Sequence, residues 1–338
     1  MSQTDPATPA VIDCLQYANW SEEVFREMRA GGVDAVHATI AYHENFREMV
    51  SNIEAWNGWF QAFPELIVAA RSGDDVRRAM ATGRTAIFFG TQNPAPIEAD
   101  VGMLEICHAL GVRIMQLTYN QQALTGSGWA EPRDGGVTAF GREVIGEMNR
   151  LGMMVDLSHA GERTTLEAIE ASSRPIAVTH ANPRWWRDEL RNVSDDVIGE
   201  LAASGGMLGF SLYPNHLKGG SACTLDAFCD MAKRVADKHG AGMLGIGSDL
   251  CQGQPDTVVQ WMRDGRWRKQ LPRRSDSEMP AGAAFPAPTD WFAGNKDFPG
   301  IAVGLSEAGF SSEEVAGIMG GNWLRFFDET FKPAETGQ

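Results

Sequence analysis

Short apolar runs alternate with helix-patterned segments along nearly the whole of this 338-residue chain. Several runs are rich in β-branched residues and are apolar on both faces, as expected of parallel strands covered by helices. Repeated alternation of this kind predicts an all-parallel α/β fold. The candidate strands are VIDCLQY (11–17), VDAVHATIAY (33–42), LIVAARS (66–72), TAIFFGTQN (85–93), IMQLTYN (114–120), MMVDLSHA (153–160), PIAVTHAN (175–182), MLGFSLYP (207–214) and LGIGSDLC (244–251).

The helix-patterned segments carry their own boundary signals. Residues 138–151 show one apolar stripe, with Thr138 as a candidate N-cap and Gly152 as the stop. Similar patterns predict helices over 162–172, 194–204 and 224–239.

The lack of a glycine-rich phosphate loop favours a closed barrel over an open sheet. An open doubly wound sheet should carry a glycine-rich phosphate loop after an early strand, and this sequence has none there. We therefore predict a (β/α)8 TIM barrel formed by a single domain over residues 1–338. Nine candidates are one too many for the ring, so LIVAARS (66–72) is predicted to be an accessory strand outside it.

Charge and composition exclude several classes of protein. The net charge of −15 disfavours a nucleic-acid partner, because an acidic surface repels phosphate. The apolar runs are too short to cross a bilayer, and the N-terminus lacks the features of a signal peptide, so we predict a cytoplasmic protein without a membrane partner. The five cysteines form no C-x-x-C pair and are predicted to be free thiols.

Polar side chains follow the strands where each one ends. The carboxyl ends of barrel strands face one common mouth, which is where active sites form in this architecture. Two imidazoles and a carboxylate from three strands can converge there on a divalent cation, typically zinc. The other histidines are weaker candidates: His37 and His43 are predicted in the core or at the surface, and His108, His216 and His239 facing solvent. The strand-end candidates are Gln16, Tyr17, Gln92, Asn93, Tyr119, Asn120, His159, His180, Tyr213 and Asp249.

Several of these residues lie in stretches that resemble a known family. The stretches MVDLSH (154–159), PIAVTH (175–180), LRNVSDD (190–196) and GIGSD (245–249) are together similar to the membrane (renal) dipeptidase family, peptidase family M19. GGVTAFGREVIGEMNRLG (135–152) and GGNWLRFF (320–327) add to the similarity, which covers about residues 10–328.

The resemblance implies a metal-dependent hydrolase of the amidohydrolase type. Members usually carry two zinc ions bridged by a glutamate and hydrolyse dipeptides, and the resemblance suggests a homodimer. It identifies His159 and His180 as ligands of the second zinc, Arg191 as the residue that binds the substrate carboxylate, and Asp249 as the general base. Tyr213 and Asn120 are placed in the substrate-binding site of a small-molecule substrate.

The chain departs from the family at the first metal. The family's His-x-Asp pair falls on Leu15 and Tyr17, and the bridging glutamate falls on Gln92. A further histidine that polarises the scissile carbonyl falls on Tyr119, whose hydroxyl could still donate to an oxyanion. A neutral amide cannot offset two dications, so we predict one divalent cation, zinc before others, or none. His159 and His180 would hold it, completed by Gln92, Asp249 or water.

Three functions remain open from the sequence. The first is a dipeptidase-like hydrolase, with one metal, that acts on a small amide bearing a free carboxylate. The second is different chemistry on the same barrel, such as a lyase or isomerase acting on a small carboxylate or amine. The third is a binding protein without turnover. Four tryptophans near strand-end loops would form either an aromatic box for a methylated amine or ordinary packing: Trp20, Trp129, Trp185 and Trp186.

One segment breaks the strand–helix rhythm. Residues 262–300 combine a basic cluster with the run PAGAAFPAPT and are predicted to form a long loop over the barrel mouth, where the cluster could attract an anionic substrate. The alternative is a solvated surface loop or a dimer contact. The basic residues are Arg263, Arg266, Arg268, Lys269, Arg273 and Arg274.

Overall fold

A computed structural model of the chain describes residues 9–266 and 284–333. Nine strands and twelve α-helices occur in these ranges. The strands are β1 (Ile12–Gln16), β2 (Ala35–Ala41), β3 (Ile67–Ala70), β4 (Thr85–Thr91), β5 (Val112–Gln116), β6 (Met154–Asp156), β7 (Ala177–Val178), β8 (Met207–Phe210) and β9 (Leu244–Ile246). The helices are α1 (Glu22–Ala30), α2 (Phe46–Ala62), α3 (Gly73–Ala81), α4 (Met103–Ala109), α5 (Ala139–Leu151), α6 (Glu162–Ala171), α7 (Asp195–Ala203), α8 (Leu225–His239), α9 (Thr257–Asp264), α10 (Phe298–Glu307), α11 (Ser312–Ala316) and α12 (Asn322–Thr330).

The strands form a closed parallel barrel. Neighbours run in the order β2-β1-β9-β8-β7-β6-β5-β4, and pairing of β2 with β4 closes the ring of eight. The remaining strand, β3, pairs only with the first half of β4. The predicted (β/α)8 barrel is therefore confirmed, and so is the accessory place of the run at 66–72. The strands of the ring are buried along their length, which explains why their sequences are apolar on both faces.

Local signals set the ends of the helices between the strands. The hydroxyl of Thr138 accepts a hydrogen bond from the Gly141 backbone and caps α5, as predicted. Gly152 ends the helix in the left-handed conformation, with φ of 75°. The apolar stripe of α5 packs inward through Val144 and Met148, which turns the opposite face of the helix to solvent.

The stretch at 320–327 serves the fold rather than the mouth of the barrel. Trp323 is fully buried, and its indole nitrogen donates to the Ile246 carbonyl oxygen at 3.0 Å. A Cβ at Gly245 would lie 2.2 Å from that indole nitrogen, so β9 needs glycine for α12 to close on it. This part of the similarity to the dipeptidase family thus reflects packing.

The segment predicted as a long loop over the mouth is partly helical. Helix α9 extends to Asp264, into the start of that segment, and α10 begins at Phe298 near its end. The basic residues that fall between 267 and 283 lie outside the described residues: Arg268, Lys269, Arg273 and Arg274.

All five cysteines are free thiols, as predicted. No helix in the described ranges combines the length and the apolar character that spanning a bilayer requires.

Candidate active site

A cavity of about 310 Å³ lies at the carboxyl ends of the barrel strands. Six of the residues that the sequence predicted for the site line this cavity: Tyr119, Asn120, His159, Arg191, Tyr213 and Asp249. They follow β5, β6, β7, β8 and β9, so separate loops deliver them to one place. Also in the lining are Trp129, Arg187, Glu189, Asn215, His216, Val259, Met262, Arg263 and Phe285.

Two of these residues adopt a backbone conformation that side chains rarely take. His159 has φ of 67° and Asp249 has φ of 58°. Histidine and aspartate tolerate the left-handed region better than most residues, yet the conformation still carries strain. Such strain concentrates at functional sites, where the surrounding structure holds a side chain in one direction.

The protonated nitrogen of His159 follows from its neighbours. The Trp129 indole N–H donates to Asn120 Oδ1 at 2.8 Å, which identifies that atom as the amide oxygen. His159 Nδ1 lies 2.8 Å from the same oxygen and must therefore donate to it. The other ring nitrogen of neutral His159, Nε2, carries a lone pair.

His180 is fixed in the same tautomer by a different chain of hydrogen bonds. The Thr179 hydroxyl donates its one proton to Asp156 Oδ2 at 2.6 Å. It lies 2.8 Å from His180 Nδ1, so it accepts from that nitrogen. His180 Nε2 is then also a lone-pair nitrogen. The Ser158 hydroxyl and the Gln116 amide also donate to Asp156. These hydrogen bonds fix the carboxylate that orients Thr179.

The two lone pairs converge. His159 Nε2 and His180 Nε2 lie 3.1 Å apart. Two lone pairs at this distance repel each other unless a proton or a cation lies between them. Nitrogens on one tetrahedral zinc, each about 2.05 Å from it, are separated by about 3.3 Å. Burial, together with the positive charge of Arg191, holds the pKa of both imidazoles well below its usual range. The pair therefore stays neutral, which is the form that binds metal.

The sequence positions of the family's first metal hold an aromatic cluster in this chain. Leu15 is fully buried in β1. The Tyr17 ring packs edge-on against Tyr42 with centroids 4.7 Å apart, and Tyr42 packs against Tyr119 at 5.2 Å. Burial raises the pKa of the Tyr42 and Tyr119 hydroxyls well above its usual range, so both remain phenols.

Gln92 belongs to the same cluster. Its amide nitrogen donates to Thr39 Oγ1 and to the Tyr42 hydroxyl, both at 2.9 Å. Its oxygen takes no part in these two hydrogen bonds. In the part of the chain that the structure describes, no three His, Cys, Asp or Glu side chains are placed to hold a metal. The donor set fits one cation on two imidazoles and does not fit a carboxylate-bridged pair.

Arg191 and Asp249 bring opposite charges to the cavity. Arg191 is buried, and its Nη2 donates to the His180 carbonyl oxygen at 2.9 Å. Within residues 9–266 and 284–333, its Nε and Nη1 have no hydrogen-bond partner. Burial raises the pKa of Asp249 to about 7, although Arg191 acts in the opposite direction. Asp195, four positions after Arg191 in the sequence, pairs with Lys238 at 3.0 Å.

His216 is a residue of this site that sequence analysis placed wrongly. It was expected to face solvent, but it is buried and lines the cavity. Its Nδ1 lies 2.8 Å from Ser211 Oγ and 3.9 Å from Asp249 Oδ2. The turn Pro214–His216, which directly follows Tyr213, folds it back over the mouth. Its position three residues after Tyr213, a predicted strand-end residue, was the sequence signal that could have placed it in the site.

The four tryptophans considered for an aromatic box do not lie at one site. Trp129 lines the cavity. Trp186 is buried in the core, Trp20 packs 4.9 Å from Trp56, and Trp185 lies under the Arg234 guanidinium at 4.0 Å. These contacts favour the packing alternative over an aromatic box.

The sequence resembles those of known proteins over most of its length. The sequence profile of the family described as Membrane dipeptidase (Peptidase family M19) matches residues 15–267. Dipeptidase tcpJ of Claviceps purpurea is 27% identical over 299 residues, which cover 88% of this chain and 62% of that protein. Dipeptidase verJ of Clonostachys rogersoniana is 30% identical over 214 residues, covering 62% and 54%. The chain thus spans about three fifths or less of these relatives.

The fold of this chain is also similar to those of solved structures. An amidohydrolase from Pseudomonas aeruginosa is 33% identical, with a TM-score of 0.89 over 96% of this chain and 97% of that one. The structure described as dipeptidase AC, a metallopeptidase of family M19, is 18% identical, with a TM-score of 0.79 over 95% and 98%. The second likeness concerns the barrel alone.

Proposed function

The chain belongs to the membrane dipeptidase family, peptidase family M19, and we propose that it hydrolyses a small amide of dipeptide-like form that bears a free carboxylate. The observation that carries this proposal is the buried Arg191 guanidinium at the wall of the cavity that Asp249 also lines, because two of its donor nitrogens have no partner among the described residues. Buried donors without an acceptor are costly, so such a site is built for a ligand that supplies the acceptor.

The substrate carboxylate is assigned to Arg191. Its planar fork pairs with two carboxylate oxygens at once, which fixes the orientation of the substrate as well as its charge. With that end held, the scissile amide lies towards Asp249 and Tyr119, which line the same cavity. Tyr213 and Asn120 complete the wall, and the Asn120 oxygen also holds His159 in its tautomer.

Asp249 and Tyr119 supply the proton chemistry. The ionised Asp249 carboxylate takes a proton from the attacking water and later returns it to the leaving amine. Tyr119, which stays protonated, donates a hydrogen bond to the oxygen of the carbonyl as negative charge develops there. The His216 ring, 3.9 Å from Asp249, orients the carboxylate within this arrangement.

His159 and His180 would hold a single divalent cation, zinc before others, with Gln92 Oε1 or water as a further ligand. When bound, the cation polarises the carbonyl and lowers the pKa of a water molecule. The hydrogen bonds from Asn120 and through Thr179 to Asp156 keep both imidazoles in the tautomer that ligation needs.

A substrate panel tests the proposed function. N-acyl amino acids and dipeptides, each with its carboxamide-capped partner, are assayed by release of the free amine. Turnover confined to substrates with a free carboxylate supports the proposal. Tight binding of these compounds without turnover would instead identify a binding protein.

We expect at most one tightly bound divalent ion per chain. Two imidazoles without a third charged ligand in the described part of the chain hold one cation. Leu15 has no lone pair, and burial raises the pKa of Tyr17, which therefore remains a neutral phenol. Elemental analysis of protein purified without chelators measures the stoichiometry. His159→Gln should abolish metal binding. Gln92→Glu, on the same barrel, should retain the metal or increase its affinity. Two ions per chain, both held by protein side chains, would contradict the assignment.

The activity should rise with pH through about 7. The pKa of Asp249 is raised to about 7 by burial, and only the ionised form can accept a proton. Below that value kcat/KM should increase about tenfold per pH unit, and it should level off above about pH 8. A pH profile of kcat/KM with a substrate that does not itself titrate measures this. A profile flat from pH 5 to 8 would remove Asp249 as the base.

A further inference from the structure

A second chamber of about 240 Å³ adjoins the cavity of the proposed active site. Asp249, Tyr213 and Phe285 line both, so the two cavities meet at these three side chains. A substrate whose scissile bond lies at Asp249 therefore has room on both sides of that bond.

The second chamber is apolar. Its walls include Leu212, Pro214, Leu250, Pro286 and Phe292. Among the described residues that line it, Asp249 is the one carboxylate, and none is Lys, Arg, His or Glu.

The polar side chains of the chamber are largely engaged elsewhere. The Ser248 hydroxyl donates to Asp13. The Gln252 amide nitrogen donates to Glu27 at 2.5 Å, and its oxygen accepts from Asn295 at 2.8 Å. A ligand in this chamber therefore finds mainly carbon surface.

We propose that the substrate is an N-acyl amino acid with an apolar acyl chain, and that this chain occupies the second chamber. The inference rests on the proposed function, since Arg191 must hold the carboxylate in the first cavity. Water adds to the acyl carbonyl carbon, the C–N bond breaks, and the nitrogen takes a proton. The products are a fatty or short-chain carboxylic acid and a free amino acid.

The charges where the two cavities meet disfavour a dipeptide with a free amino group. Its ammonium would lie on the acyl side, in the second chamber, where Asp249 is the one carboxylate among the described lining residues. An ion pair there would engage the group that must accept the proton from water. A buried ammonium without that partner has a high desolvation cost. An apolar acyl chain has no charge to pair with Asp249 or to desolvate, and its transfer out of water is favourable in free energy.

A matched pair of substrates tests this directly. Propionyl-alanine and alanyl-alanine differ only by the α-amino group, and both the L- and D-forms of the C-terminal alanine are used. We expect kcat/KM to be about tenfold or more higher for propionyl-alanine. In the series acetyl, propionyl, butanoyl and hexanoyl, kcat/KM should rise about fourfold per methylene until the chamber is full.

A charge placed in the chamber provides the matched control. Cys251 lines the chamber and is half-buried. Cys251→Asp adds a carboxylate, whereas Cys251→Asn adds a group of the same shape without charge. The ratio of kcat/KM for alanyl-alanine to that for propionyl-alanine should be about tenfold higher in the Asp variant than in the Asn variant. Effects on Asp249 itself cancel in this ratio.

The outcomes separate the two proposals. If the protein as it exists hydrolyses alanyl-alanine at least as well as propionyl-alanine, or if chain length has no effect, the acyl chamber is wrong and the proposed function stands. If it hydrolyses none of the carboxylate-bearing amides, the proposed function fails and the inference fails with it.

Discussion

Replacing Asp249 by Asn is expected to lower kcat by about 10²- to 10⁴-fold, the usual contribution of a general base. The amide has the same shape but accepts no proton from water. Asparagine also tolerates the left-handed backbone, where Asp249 has φ of 58°, so the turn after β9 should persist. Single-turnover and steady-state rates with a carboxylate-bearing amide measure the loss.

Thermal unfolding separates lost chemistry from lost structure in this variant. The pKa of Asp249 lies above its ordinary value because burial disfavours the charge, so above pH 7 the ionised form costs stability. A neutral amide should therefore leave the Tm at pH 8 unchanged or higher. A lower Tm that tracks the lost activity would assign Asp249 a structural role.

Asp13 offers a matched control on the same barrel. It is a buried carboxyl with a pKa of about 6, it accepts from Ser248 and Gln16, and it does not line the cavity. Asp13→Asn should leave kcat above pH 8 largely unchanged. Because the charge of Asp13 raises the pKa of Asp249, its removal should move the midpoint of the pH profile to lower pH.

The barrel could be predicted from sequence because its strands are buried on both faces. Because of this burial, each strand has a continuous apolar sequence. The ends of α5 are also recognisable, because Thr138 caps its start and Gly152 ends it. The ring also has one mouth, so polar residues after different strands had to meet there. The same logic does not predict α9, whose start at Thr257 directly follows the loop-forming residues 253–256.

The detail of the site depends on contacts between residues far apart in sequence. His216 was missed because a short turn, not a strand end, carries it back to Asp249. The tautomer of His159 requires Trp129 and Asn120 to meet, which no local pattern encodes. The departures at Leu15 and Tyr17 were visible in sequence, but the tyrosine cluster that fills their place was not.

Replacing Arg191 by Lys should raise KM about 100-fold for substrates with a free carboxylate, with a smaller change in kcat. Lysine keeps the charge but loses the planar fork, and a lost charge-assisted hydrogen bond has an effect of about this size. The chain offers a comparison in Arg187, which lines the same cavity while its Nε donates to the Asn215 carbonyl oxygen. Arg187→Lys should change KM far less.

Carboxamide-capped substrates show whether the loss arises at the carboxylate. The unaltered protein should prefer the carboxylate to its capped partner, and Arg191→Lys should reduce that preference, because the capped form never used the fork. A purely structural Arg191, held only by its bond to the His180 carbonyl oxygen, predicts the opposite pattern. Both substrates would then lose activity equally and the Tm would fall, which would move the carboxylate site away from Arg191. Selective loss of the preference, with the Tm maintained, would place the carboxylate of the substrate on the unpartnered Nε and Nη1 atoms.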